Sequence, residues 1–134
     1  MPDLIELEVA TPERLLVRER VADVQLPGQT GYLGILPGHA PLLGLLGTGV
    51  LSYPANGGRR YIAIDGGFLD VGQDHVRVLA NAADRAEEID TGRARDELKK
   101  AEADAANPSI GIDPDAAQAA ILRAQARVEA AAKK

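Results

Sequence analysis

The organising segment of this chain reads Gly34-Ile35-Leu36-Pro37-Gly38-His39-Ala40-Pro41-Leu42-Leu43. It places two prolines, two glycines and one of the two histidines between apolar residues. Pro37-Gly38 can reverse the chain because glycine accepts positive φ, and Pro41 forces Ala40 into an extended conformation. The pattern predicts a strand that breaks into a fixed, partly exposed corner with His39 at its tip.

Strand patterns lie on both sides of this corner. Apolar and acidic residues alternate over 5–9, which predicts a strand with one buried face. Asn56-Gly57-Gly58 is a hairpin turn signal. We expect Gly44, Gly47 and Gly49 to precede a strand, and Asp65-Gly66-Gly67 to connect two strands, with its glycines serving a bulge or close backbone packing. The further predicted strands span 15–17, 21–26, 32–36, 50–53, 60–64, 68–71 and 75–79. So many short strands favour a β-sandwich over a βαβ fold.

The composition changes after about Ala82, where Ala, Glu, Arg and Lys become dominant. Apolar residues then recur at spacings of three and four, which predicts two helices with caps at Asp90 and at Asp113 before Pro114. The predicted fold class is α+β, an N-terminal antiparallel β-sandwich (residues 1–86) followed by a C-terminal two-helix hairpin (residues 87–134). The helical stripes hold few large apolar side chains, so the hairpin needs a partner: the sandwich, a ligand or another subunit.

Composition excludes several classes of function. The 134 residues carry a net charge of −5 and no basic stripe, which argues against nucleic-acid binding. The chain has no cysteine, which rules out disulfides and thiolate metal sites. It also lacks the phosphate-loop, zinc-protease and serine-hydrolase motifs, so we expect no catalysis by this chain alone. Without a signal peptide or a long apolar segment, it is expected to be cytosolic or peripheral to a membrane.

Several segments in this order resemble one family, the epsilon subunits of bacterial F-type ATP synthases, equivalent to the mitochondrial delta subunits. They are Thr11-Pro12, the corner, 66–71, 76–80 and the two-helix tail. The resemblance implies a non-catalytic subunit of the central stalk that binds the gamma subunit and the c ring and couples proton flow to rotation. Its helices would inhibit ATP hydrolysis when they extend toward the alpha and beta subunits. The implied location is peripheral, on the cytoplasmic side of the bacterial inner membrane.

The resemblance also assigns an interface to the corner. His39 is expected at the contact with gamma and the c ring, together with Tyr32, Leu42 and Leu43. Many relatives have an acidic residue where this chain has Tyr32. Taken alone, His39 fits a structural role as well as a contact role.

A second family motif, Ile-Asp-x-x-Arg-Ala, binds ATP in some bacterial relatives and is matched by residues 89–94. ATP is therefore expected as a regulatory ligand, with no cofactor required. Two features depart from those relatives: Lys100 stands in place of an arginine, and Gly92 loosens the first helical turn. The implied ATP-binding residues are Asp84, Ile89, Asp90, Arg93, Ala94, Lys100, Arg123 and Arg127.

The residues themselves leave other interpretations open. Asp90 fits a helix cap as well as a nucleotide contact. Arg93, Arg123 and Arg127 also fit exposed ion pairs with acids such as Glu97 or Glu129. As a whole, the chain could be a free-standing ATP sensor without a rotor role, or a sandwich scaffold whose helices join an unrelated coiled coil.

Overall fold

A computed structural model describes residues 3–134; Met1 and Pro2, with which the predicted domain 1–86 begins, lie outside the described residues. The strands are β1 (Ile5–Ala10), β2 (Leu15–Val21), β3 (Val24–Gly28), β4 (Gly31–Ile35), β5 (Leu42–Ala55), β6 (Gly58–Val71) and β7 (His75–Arg85). Single 3-10 turns at Ala86–Glu88 and Pro108–Ile110 precede the helices α1 (Thr91–Ala105) and α2 (Pro114–Ala132).

The strands form one sheet in the order β2-β1-β7-β6-β5-β3-β4, which wraps around a core supplied by all seven. The predicted fold class, a β-sandwich followed by a helical hairpin, is confirmed. Neighbouring strands run antiparallel except β1 and β7, which are parallel from Glu6 and His75 to Ala10 and Leu79. This pair joins the first strand of the head to the last and places the β1–β2 hairpin beside β7, a contact that local sequence patterns do not reveal.

Two predicted strand breaks are wrong. β5 continues through Gly44, Gly47 and Gly49, and β6 joins the predicted strands 60–64 and 68–71 into one. The ladder between β5 and β6 keeps a single register on both sides of these glycines, from Leu42 opposite Val71 to Ala55 opposite Gly58. The predicted strand 21–26 is also wrong, since Ala22 and Asp23 separate β2 from β3.

At the glycines of β5 and β6, the long strands β5, β6 and β7 change which of their residues face the core. In β6, Ile62 and Ile64 are buried there before the glycines, whereas Leu69 and Val71 are buried after them. Side chains of a strand alternate between faces, so a change from even to odd positions requires an unusual backbone conformation. Gly66 and Gly67 supply it with φ of 62° and 123°. The outer face is thereby divided into two halves.

Close packing, and not a bulge, explains the second glycine of this pair. β6 and β7 keep their register on both sides of it, from Asp65 opposite Ala82 to Gly67 opposite Ala80. A Cβ atom at Gly67 would lie 2.1 Å from the carbonyl oxygen of Leu79. Only glycine allows the two backbones to approach this closely.

The hairpin has its own small apolar cluster, separate from the core of the head. It consists mainly of alanines from α1 and α2 packed against Val50 and Ala63 on the outer face of the sheet, with Ile89 between them. Both predicted helix caps are confirmed. The Asp90 side chain accepts a hydrogen bond from Arg93 N at 2.9 Å, and Asp113 accepts from the backbone of Asp115 and Ala116.

The predicted boundary between residues 86 and 87 falls within the 3-10 turn that follows β7. The division into domains 1–86 and 87–134 stays a prediction. No helix within residues 3–134 is both long and apolar enough to cross a membrane.

We predict that Gly67→Ala destabilises the head by at least about 2 kcal/mol, because alanine is strained at this φ and its Cβ would overlap the Leu79 carbonyl. Denaturant unfolding of the whole chain measures the effect. Gly34→Ala is the matched control, since its Cβ would meet nothing within 4 Å, and it should change stability by under about 0.5 kcal/mol. Equal effects of the two substitutions would contradict this explanation.

Candidate functional site

The predicted corner is held to the head by its backbone. Gly38, with φ of 86°, donates its N–H to the carbonyl of Gln73 in the turn between β6 and β7, at 2.8 Å. The N–H of His39 closes the turn onto Leu36 O at 3.2 Å, and the His39 ring nitrogen Nδ1 lies 2.6 Å from Ala40 O. The corner is therefore a fixed surface feature, and His39 is half-buried in it.

The other predicted interface residues differ in orientation. Leu42 packs inward against the core of the head, whereas Leu43 is 80% exposed. Tyr32 is exposed on the edge strand β4, yet its hydroxyl oxygen accepts a hydrogen bond from Val50 N at 2.9 Å. Its ring lies close over Gly49, where a Cβ would lie 2.4 Å from the hydroxyl. Tyr32 thus links β4 to β5 through this hydrogen bond. Its predicted interface role stays a prediction.

An exposed apolar surface lies on the outer face beside the corner; we call Leu43, Leu45, Phe68 and Leu79 the outer patch. Leu45, Phe68 and Leu79 lie opposite one another across β5, β6 and β7. Phe68, the chain's single phenylalanine, is 63% exposed. Together they line a shallow depression of about 450 Å³, edged by the ion pair of Arg77 with Asp70. Contiguous exposed apolar side chains of this size mark an interaction surface.

Sequence analysis identified only Leu43 of this patch. For Phe68 and Leu79, the signal was the alternation within 66–71 and 76–80, which places them on the face opposite Leu69 and Val78. It could not show that this face remains uncovered while the other half of the outer face is covered by α2.

The predicted ATP residues occupy two environments. Ile89 and Ala94 are buried in the hairpin cluster, and Asp90 caps α1. Arg123 and Arg127 both face a groove of about 330 Å³ between α1 and α2 and a cleft of about 150 Å³ between α2 and the sheet. Lys100 lies in the first of these and Asp84 in the second. The structure brings these four charged residues together, while Arg93 lies on the exposed side of α1.

Every predicted cation of this set is already paired with a carboxylate. Arg127 contacts Asp84 on β7 and, at 3.5 Å, Glu97 on α1. Arg93 also contacts Glu97, at 3.4 Å. The remaining pairs are Arg123 with Asp65 at 3.9 Å and Lys100 with Asp104 at 2.9 Å. The predicted pairing with Glu97 is therefore present.

A further ionic cluster lies at the base of the hairpin. Arg14 binds Glu88 through two hydrogen bonds of 2.8 and 2.9 Å and lies 3.8 Å from Asp84. Arg85 adds its backbone N–H and its guanidinium to the same Glu88 carboxylate. The hydrogen bond from Arg14 is the main reason why the pKa of Glu88 falls from 4.5 to about 2. Sequence reasoning missed this cluster because Arg14 and Glu88 are 74 residues apart.

The residues that the structure describes contain no group of three or more histidines, acids or cysteines placed to hold a metal ion. The site is thus a pair of surfaces, an exposed apolar patch on the head and an ionic network that joins the head to the hairpin.

Comparisons with known proteins place this arrangement in context. A family model described as the β-sandwich domain of the ATP synthase delta/epsilon chain matches residues 4–86. The ATP synthase epsilon chain of Solibacter usitatus is 60% identical over 134 residues, covering 100% of both chains. That of Nitratidesulfovibrio vulgaris strain DP4 is 42% identical over 128 residues, covering 96% of both.

Two solved structures resemble the fold. A chain in the cryo-EM structure of the Euglena gracilis mitochondrial ATP synthase (OSCP, F1 and c-ring, rotational state 1) matches with a TM-score of 0.82 and 27% identity, over 98% of this chain and 83% of that chain. A chain in the central stalk and c-ring of the Tetrahymena thermophila mitochondrial enzyme matches with a TM-score of 0.55, 14% identity and coverage of 96% and 94%. The second likeness concerns the fold alone.

We predict a pH-dependent contribution from the Arg14–Glu88 pair. Because the pKa of Glu88 is lower in the folded chain, its stabilisation is present above about pH 4.5 and is lost as the pH falls toward about 2. Glu88→Gln should lower the free energy of unfolding at pH 7 by under about 1 kcal/mol, since the pair is solvent-screened. The difference from the unmodified chain should vanish between pH 4.5 and 2.

Denaturant unfolding at a series of pH values measures this difference. Glu102→Gln is the control, because Glu102 is exposed on α1 and its substitution should change the free energy of unfolding by under about 0.5 kcal/mol. A Glu88→Gln difference that stays constant down to pH 2 would exclude the ion pair as its cause.

Proposed function

Since the chain belongs to the ATP synthase delta/epsilon family, we propose that it is the non-catalytic central-stalk subunit of a bacterial F-type ATP synthase. In this role it couples proton flow to ATP synthesis and regulates ATP hydrolysis, while catalysis belongs to the alpha and beta subunits. Support comes from the full-length relatives, which are ATP synthase epsilon chains, and from the similarity to a chain of a solved mitochondrial ATP synthase.

The outer patch is the observation that carries this proposal. Its four large apolar side chains lie on a rigid sheet and next to the fixed corner, so they can dock on a partner without a folding step. We assign this surface to the gamma subunit, and the corner with His39 to the contact with gamma and the c ring. A surface formed by hydrogen-bonded strands is rigid, which suits a subunit that is proposed to rotate together with gamma.

The hairpin is proposed to be the regulatory part. It packs on the head through a small cluster composed largely of alanines, together with ion pairs and the Lys133 ammonium over the Tyr61 ring. Such an interface is weak enough to open without unfolding the head. In the open state the helices would reach the alpha and beta subunits and slow ATP hydrolysis.

ATP is proposed as a regulatory ligand of the docked hairpin. The groove between the helices and the adjoining cleft are lined by Arg123 and Arg127, whose spacing of four residues places both guanidiniums on one face of α2. Phosphate oxygens would replace carboxylates at these guanidiniums. Through the complex, the chain would be peripheral to the inner membrane, on its cytoplasmic side.

We predict that Phe68→Ser, which removes the largest apolar side chain of the outer patch, weakens binding to the isolated gamma subunit at least tenfold. Loss of one buried apolar side chain removes about 1.5–3 kcal/mol, and 1.4 kcal/mol corresponds to a factor of ten. Leu15→Ser is the matched control, because Leu15 is exposed on β2 outside the patch. Surface plasmon resonance with immobilised gamma measures both.

Unchanged gamma binding by Phe68→Ser would show that the patch is not the interface. No gamma binding by the unmodified chain, together with calorimetric binding of ATP, would favour the free-standing ATP sensor over the rotor subunit.

A further inference from the structure

Arg127 connects the head to both helices. It extends from α2 and contacts Asp84 on β7 and Glu97 on α1, with 29% of its side chain exposed. Asp84 also lies 3.8 Å from Arg14, which binds Glu88, and Glu97 also binds Arg93. One continuous chain of alternating charges therefore runs from the β1–β2 turn through β7 to α1 and α2.

The apolar contact between α2 and the sheet, next to Arg127, is small. Where α2 meets the sheet, its fully buried residues are Ala126, Ala130 and Ala131, which bury little area each, and the larger Val128 and Tyr61 are only partly buried there. Isolated surface ion pairs contribute little to stability, but a connected network with a partly buried arginine contributes more. The docking of the hairpin therefore depends on whether Arg127 is satisfied.

A guanidinium donates hydrogen bonds to a carboxylate or to a phosphate in the same forked geometry. In the docked hairpin two carboxylates already take this place at Arg127, and a third, from Asp65, faces Arg123. A polyphosphate that enters the groove between the helices meets Glu97 and Asp104 beside the arginines, and one that enters the cleft between α2 and the sheet meets Asp84 and Asp65. It must displace these carboxylates or bear their repulsion.

We infer that the carboxylates of Asp84 and Glu97, which we call the built-in anion, occupy the place of a phosphate at Arg127 and keep the hairpin docked in the absence of nucleotide. A ligand shifts a conformational equilibrium only by its differential affinity for the two states. Because the docked state already satisfies Arg127, these carboxylates supply most of the docking free energy, and ATP, as the proposed regulatory ligand, adds a smaller increment to it. This inference rests on the proposed regulatory role of the hairpin and concerns how that role is controlled.

The test measures the distance between head and hairpin directly. The chain has no cysteine, so spin labels can be placed on Thr30→Cys in the head and Ala103→Cys in α1, both exposed. Pulsed electron paramagnetic resonance of the full chain without nucleotide should give a single distance between the two labels, that of the docked hairpin. Adding Asp84→Asn and Glu97→Gln should raise the ratio of undocked to docked molecules about fivefold or more.

A matched pair, Asp96→Asn with Glu102→Gln, removes two exposed carboxylates of α1 and should leave the distance unchanged. Raising NaCl from about 0.05 M to about 1 M should undock the unmodified chain in the same direction without altering any residue. Undocking of the nucleotide-free unmodified chain at low salt, or persistent docking of the Asp84→Asn, Glu97→Gln variant, would overturn the inference.

Addition of ATP separates this inference from the proposed function. We expect ATP to restore docking of the Asp84→Asn, Glu97→Gln variant, whose Arg127 is free, and to change the unmodified chain little. A large increase in docking of the unmodified chain on adding ATP would contradict the built-in anion. Loss of docking in the variant that ATP fails to reverse would still support it, while counting against ATP as the regulatory ligand.

Discussion

The close approach of the backbones at Gly67 and Leu79 is the constraint on which the rest of the structure depends. It allows the three long strands to reverse the faces of their side chains while their hydrogen-bond ladders continue in register. The inner face then forms one core for the head. The outer face is divided into an exposed half that carries the outer patch and a covered half that receives α2, and the glycines of β5 and β6 lie at the boundary between the two surfaces.

The two surfaces differ in the physics of their contacts. The outer patch offers large apolar side chains on a rigid sheet, which favours a permanent partner. The hairpin contact combines alanines with an ionic network that water and salt can reach, which favours a reversible one. The proposed stalk subunit, which stays attached to its partner while its helices change position, needs this combination.

Local patterns predicted much of this fold because they arise from neighbouring residues. The alternation over 5–9, the caps at Asp90 and Asp113 and the 3.6-residue spacing of the tail each reflect contacts within one element. The glycines of β5 and β6 were misread as breaks, because a glycine that allows close packing has the same local pattern as one that makes a turn. The parallel β1–β7 pair and the Arg14–Glu88 contact join distant segments, and the sequence gives no local signal for them. The residues of the motif at 89–94 do not line the charged groove, whereas Lys100, Arg123 and Arg127 do. The pairing with Glu97 was predicted, but that of Arg123 with Asp65 joins distant segments and was not.

The proposed role makes the hairpin a reversible brake on a head that anchors independently. The most direct test is the ATP hydrolysis rate of the synthase reconstituted with this chain ending after Ala86, compared with the full chain. The shortened chain should give a higher rate, because the head still occupies its place in the stalk while the brake is absent. An equal or lower rate, with the shortened chain present in the complex in the normal amount, would show that the hairpin is not a brake.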